Sequence, residues 1–196
     1  IDRSRGLGDV YKRQAVIRAF EMTMKTFVLI EHVIRIFSNI LLAISIVCLI
    51  FMMGHVVLDV FMKITFNSPI IGTLETVSYY YMVGAVFLPL AVVELKKENV
   101  HVDLFIQFAP IPVRRALIIF GNIICALYFG GLCYQTLIDA VESFQYKETI
   151  MSNYLFYVWP SRWALPIGFL AVTLVFVSST LRQLQEFQSP PTKDED

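Results

Sequence analysis

Residues 67–103 read NSPIIGTLETVSYYYMVGAVFLPLAVVELKKENVHVD, and this stretch decides the fold. From Thr76 to Val93 it holds 18 residues without a charge, which at about 1.5 Å per residue cover roughly 27 Å, close to the hydrocarbon thickness of a bilayer. The stretch is therefore a membrane helix. Glu75 and Glu94 stand at its two ends, and a polar, basic hairpin comes after it. The rest of the chain reads as what holds and orients this unit.

Composition agrees. Of 196 residues 57% are hydrophobic and the mean hydropathy is +0.65, above the roughly 45–50% apolar usage of soluble domains, and the apolar residues come in long blocks. The 16 basic and 16 acidic residues cancel, so no nucleic-acid partner is expected and the placement of charge matters more than its sum. Cys48, Cys125 and Cys133 all lie inside apolar blocks without metal-ligand spacing, which argues against a disulfide framework or a zinc site.

Four spans follow, at about residues 37–62, 73–95, 113–141 and 165–184, each long enough to cross with some tilt. Lys25, Arg35, Lys96, Lys97, Arg114, Arg115, Arg182 and Lys193 fall on one side, against Lys63, Lys147 and Arg162 on the other. The positive-inside rule then places both termini and the middle hairpin in the cytoplasm. The fold class expected is an all-α integral membrane protein with four transmembrane helices and a short amphipathic cytoplasmic segment between spans two and three. Residues 1–21 are expected to be a non-native or disordered leader, since Met22 or Met24 could start translation; 22–187 form the membrane domain and 188–196 a disordered acidic tail.

Polar residues within this frame are few. His55 and Asp59, four apart near the outer end of span one, are expected to form a hydrogen-bonded pair that fixes packing, in preference to a proton relay. Glu75 falls in the first turn of span two, where a negative charge complements the helix dipole, or else it contacts a neighbouring subunit. Pro89 should kink span two, and Gly84 permits close approach. Tyr79, Tyr80, Tyr81, Tyr154, Phe156, Tyr157, Trp159 and Trp163 gather at the outer boundary, either as an interfacial belt or as a docking surface. Asp139, Glu142 and Tyr146 continue span three at helical spacing, so that helix should project beyond the bilayer. In the middle hairpin Asp103 can cap a short apolar helix, Leu104 to Phe108, and His101 alone reads as solvent-facing.

Lys63 to Glu75, the apolar span, His101-Val102-Asp103-Leu104, and a last span opened by Trp163, Pro166 and Gly168 together resemble the small membrane subunit of tripartite ATP-independent periplasmic (TRAP) transporters, the DctQ-like family. The likeness runs from about Glu31 to Leu184. Lys63-Ile64-Thr65 stands where the family usually has Arg-Tyr, and Leu74 where it often has an acid; Lys63 keeps the charge without the bidentate fork of arginine. The resemblance implies a bacterial inner-membrane protein without a cofactor, paired with a large TRAP permease subunit and served by a periplasmic substrate-binding protein. The large subunit would hold the sodium and organic-acid sites, and this chain would brace it and help dock the binding protein. Lys63, Asn67, Pro69, Glu75, His101, Asp103, Trp163, Pro166 and Gly168 are the implied interface or structural positions.

Two other classes of function are open to four apolar spans. A self-contained proton-coupled exporter acting as a homodimer needs a carboxylate near the bilayer centre, whereas Asp59, Glu75 and Glu94 lie close to the edges. A haem-bearing electron-transfer subunit needs two histidines facing across a bundle, whereas His32 and His101 fall outside the spans by the charge count. No catalytic constellation, metal set or phosphate loop stands out, so the chain does not read as an enzyme.

Overall fold

The computed structural model describes residues 2–96, 110–151 and 155–188. It divides into two compact units, Ile1–Ile36 and Phe37–Asp196. The first unit is helical from Asp2 and carries an Arg35–Glu31 ion pair one turn apart at 3.6 Å. The second holds everything below. Among the described residues, four helical stretches are long and apolar enough to cross a membrane: Val28–Phe66, Thr73–Leu95, Val113–Tyr146 and Trp159–Leu184.

Helix α1 (Asp2–Phe66) ends four residues beyond the expected Met62. Lys63 does not stop it, because a basic side chain in the last turn suits the negative end of the helix dipole. The stop comes at Asn67, whose φ of 50° is a left-handed conformation that asparagine tolerates at a helix end. Within the second unit α1 covers only a narrow seam. Ser38, Leu41 and Ser45 are buried, and Cys48, Met52, His55, Asp59 and Met62 are half-covered, in alternating steps of three and four residues. That spacing is the signature of a helix touching its neighbour along a single line. Ile50, Met53, Val57 and the other faces stay exposed and apolar.

Span two is not one regular helix. It begins as α2 (Thr73–Thr76), widens into a π-helical segment at Val77–Tyr81, continues as α3 (Met82–Phe87), breaks at Leu88 and Pro89, and resumes as α4 (Leu90–Leu95). The break is the proline kink expected from the sequence. The π-helical segment gave no sign there.

Helix α5 (Ile111–Tyr146) projects past the expected end at Val141 and closes at Lys147, whose φ of 47° is again left-handed. The fold class expected was all-α, but between α5 and the last span the chain forms a short antiparallel hairpin, β1 (Thr149–Met151) with β2 (Leu155–Tyr157), in register Thr149 with Tyr157 and Met151 with Leu155. A one-turn helix α6 (Trp159–Arg162) then leads into α7 (Ala164–Gln188). The last span therefore opens earlier than the expected Leu165.

Helix α7 is the centre of the bundle. Ala171, Val172, Val175 and Phe176 on it are buried, and it packs against α3, α4 and α5. Phe129 of α5 stacks on Phe176, with centroids 5.7 Å apart, and also meets Phe169. Phe87 of α3 meets Phe169 from the other side at 5.5 Å. Gly168 is required here, because a Cβ would run into the Phe87 carbonyl. Backbones can pass this closely only where no side chain stands between them.

Candidate functional site

Several polar contacts of the described residues lie at the end of the bundle where α1 stops and the hairpin begins. Asn67, Ser68 and Pro69 turn the chain out of α1, and Gly72, with φ 89°, turns it into α2. Asp59 clamps the turn: its Oδ1 accepts a 2.7 Å hydrogen bond from the Ile70 amide. The Thr73 hydroxyl donates to the Ile70 carbonyl at 3.1 Å, and the Thr76 amide to Gly72 at 2.9 Å. Asn67 and Pro69 thus act through backbone geometry, as a helix stop and a rigid bend.

His55 and Asp59 are not hydrogen-bonded to each other, contrary to the pair expected from their spacing. His55 lays its ring edge against Tyr81, with centroids 6.0 Å apart, while Asp59 reaches the turn. A short carboxylate with an unsatisfied backbone N–H in reach takes that donor in preference to a side chain one turn back on its own helix.

The π-helical segment fans three consecutive tyrosines in different directions. Tyr81 turns to span one, against Phe51 and His55. Tyr80 donates its hydroxyl to the Tyr157 carbonyl at 2.7 Å, and Tyr79 and Tyr80 both touch the ring of Phe156. Span two is thereby tied to span one on one side and to the hairpin on the other. Single-turn π segments inside α-helices often mark functional positions, because they redirect side chains that regular spacing would send elsewhere.

A second tie fixes the hairpin to α5 and α6. Arg162 Nη2 donates to Glu148 Oε1 at 2.7 Å, and Ser143 Oγ donates to Glu148 Oε2 at 2.7 Å. The Ser143 hydrogen bond, with Arg162 adding a second donor and a positive charge, holds the Glu148 carboxyl below the usual carboxylate range against the opposing effect of burial. Trp159 packs edge-on against Phe144 at 5.2 Å.

Of the remaining positions singled out from sequence, Lys63 is exposed, with no partner among the described residues. Glu75 is half-buried in the first turn of α2. Trp163 closes α6, Pro166 sits buried in the first turn of α7, where its missing N–H costs nothing, and its carbonyl accepts from Cys133 Sγ at 3.5 Å. His101 and Asp103, the short helix from Leu104 to Phe108 and the tail beyond Gln188 lie outside the described residues.

No group of three or more His, Cys, Asp or Glu side chains among the described residues could hold a metal ion. What the arrangement does chemically is mechanical: it pins one end of four apolar helices with hydrogen bonds, an ion pair and rings. Residues 52–186 match the family model described as tripartite ATP-independent periplasmic transporters, DctQ component. The chain belongs to the DctQ family. It is thus a small permease component of a TRAP transporter, and that family is one of transporter components, not of enzymes. No curated protein and no solved structure matched. The DctQ match takes in the C-terminal part of span one, the Asn67–Gly72 turn, the three tyrosines, the hairpin and α7 up to Glu186.

Reading by residue type did not find Ser143, Glu148 or the Tyr80–Tyr157 tie. An acid just past a left-handed residue that ends a projecting helix, with an arginine 14 residues on, was the only available signal.

Proposed function

We propose that this DctQ chain is an accessory subunit that braces the large permease subunit of a sodium-coupled, binding-protein-dependent transporter for organic acids and helps to dock the periplasmic binding protein. The observation that carries this reading is the family match over 52–186. Sodium coupling and the organic-acid cargo come from the family resemblance, since no residue of this chain selects them. The exposed apolar faces of α1 and α5, with Ile50, Val57, Leu117, Phe120 and Leu127 all uncovered, support bracing, because such faces need lipid or another membrane helix. On this reading both termini lie in the cytoplasm, the hairpin faces the periplasm and the membrane is the bacterial inner membrane.

A tagged copy of the chain, solubilised in mild detergent, should bring down a much larger multispan protein. Uptake of an organic acid into liposomes should need both membrane subunits and the binding protein. Accumulation against a gradient by this chain alone would overturn the accessory role.

A further inference from the structure

Helix α5 has two unlike faces. One packs on α7, with Phe129 stacked on Phe176 and Gly130 beside Thr173. On the other, Leu117, Gly121, Ile124, Tyr128, Gly131 and Gln135 follow in alternating steps of four and three, the spacing that keeps two long helices in contact along one line. Leu117, Ile124 and Tyr128 are exposed, and a Cβ at Gly121 or Gly131 would meet no neighbouring atom.

Tyr128 says what kind of neighbour this stripe needs. Residues 116–138 carry no charge, and Tyr128 lies near their middle, roughly 15–18 Å from either end at about 1.5 Å per residue. It is 63% exposed, its ring meets that of Phe129, and its hydroxyl has no hydrogen-bond partner among the described residues. Tyrosines of membrane helices usually sit at the headgroups, where the hydroxyl is wet. Acyl chains offer no acceptor, so lipid alone would leave this hydroxyl unsatisfied in hydrocarbon. Its neighbour must bring an acceptor to mid-membrane depth, which a second membrane helix can do.

The shape of the stripe bears on whose helix that is. Two copies of this chain share one orientation in the membrane, and around a two-fold axis each residue nearest the axis meets its own copy. Tyr128 would then face Tyr128 and each glycine would face a glycine, bulge to bulge and hollow to hollow. A different chain can set large side chains into the two hollows and an acceptor opposite the hydroxyl. Gly54 on α1 is equally open, but Ile50, Met53 and Val57 around it are apolar and acyl chains satisfy them.

We propose that this stripe of α5 is the seat for a membrane helix of the large permease subunit. Tyr128 donates to an acceptor on that helix, and Gly121 and Gly131 admit its side chains. The proposal rests on the subunit reading above and assigns the bracing contact to one face of one span, leaving the apolar face of α1 to lipid.

The test co-expresses the tagged chain with the large subunit of its own transporter and measures how much large subunit is retained in mild detergent. Gly121→Leu and Gly131→Leu should each lower retention by about fivefold or more, because the hollow is filled. Tyr128→Phe should lower it by about threefold, the scale of one interhelical hydrogen bond in a membrane. Gly54→Leu should change nothing. All four variants should reach the membrane in normal amount and melt as the unaltered chain does, since these positions meet open space within the chain. A photo-crosslinking benzoylphenylalanine at Ile124 should join the large subunit, and one at Met53 should not. Normal retention in all three α5 variants would overturn the seat and leave the bracing role standing. A crosslink from Ile124 to lipid only, or to a second copy of this chain, would also overturn it. Failure of the unaltered chain to retain any large subunit would sink the accessory role itself, and the seat with it.

Discussion

The Ser45 hydroxyl donates a 3.1 Å hydrogen bond to the carbonyl of Ala85, 40 residues away on the neighbouring span. Ala85 is the residue whose carbonyl Pro89 leaves without its usual helical donor, because proline has no N–H. In hydrocarbon an orphaned carbonyl has no water to turn to, so a kinked span is stable only where a neighbour supplies a donor. Ser45, 2% exposed on the seam of α1, supplies it. The kink in span two and the docking of span one are one feature.

Ser45→Ala should therefore destabilise the chain by about 1 kcal/mol, the scale of an interhelical hydrogen bond in a membrane. In a Pro89→Ala background the helix regains its own donor, and the same serine change should cost almost nothing. Thermal melts of the four proteins in one detergent give the coupling; equal costs in both backgrounds would show that the bond does not serve the kink.

Gly168→Ala should push α7 off α3, since the new Cβ would strike the Phe87 backbone, which cannot swing aside as a side chain tip can. A loss of about 2 kcal/mol is expected for such overpacking. Gly131→Ala on α5 has open space around its Cβ and should be neutral or slightly stabilising. Unfolding in denaturing detergent, followed by circular dichroism, separates the two.

Asp59→Ala should release the Asn67–Gly72 turn at a cost of about 1–3 kcal/mol, because the Ile70 amide loses a charged acceptor at 2.7 Å. Asp59→Asn keeps an acceptor oxygen and should cost less. Amide exchange at Ile70 reads the difference: it should rise strongly in the alanine variant and modestly in the asparagine one.

The Glu148 carboxyl is held below the usual range by Ser143 and Arg162, so its contribution is present above the unfolded carboxylate pKa of about 4.3 and is lost as pH falls through the lower, folded value. The hairpin anchor should hold from pH 7 to pH 5 and loosen only below about pH 4.3. With Arg162 and Glu148 side chains 40% and 37% exposed, the effect is screened and should stay under about 1 kcal/mol. Emission from Trp159, which packs on Phe144 beside the bridge, reports it. In Glu148→Gln the acid transition should vanish.

Much of this architecture was legible in the residues. The four spans follow from uncharged runs that only lipid can accommodate, the break at Pro89 from a missing N–H, and the projection of α5 from Asp139, Glu142 and Tyr146 at helical spacing. The Lys63–Glu75 entry and the hairpin motif pointed to the DctQ family, which the match over 52–186 bears out. The partner of Ser45 was not legible, because a serine in an apolar helix can equally bond its own preceding turn, as Thr136, Thr173 and Thr180 do here. The three tyrosines could be placed at a boundary but not aimed, since regular spacing does not reveal a π-helical turn. The β-hairpin is three residues a side, too short for alternation to announce it.

What the sequence determined by itself was local and additive: where apolar length suffices to cross, and where proline interrupts a helix. Only the tertiary structure decided which donor meets which acceptor, Ser45 with Ala85, Asp59 with Ile70, Arg162 with Glu148. Each of those bonds joins groups from separate elements, and their strength depends on distances of a fraction of an ångström that no spacing along the chain specifies.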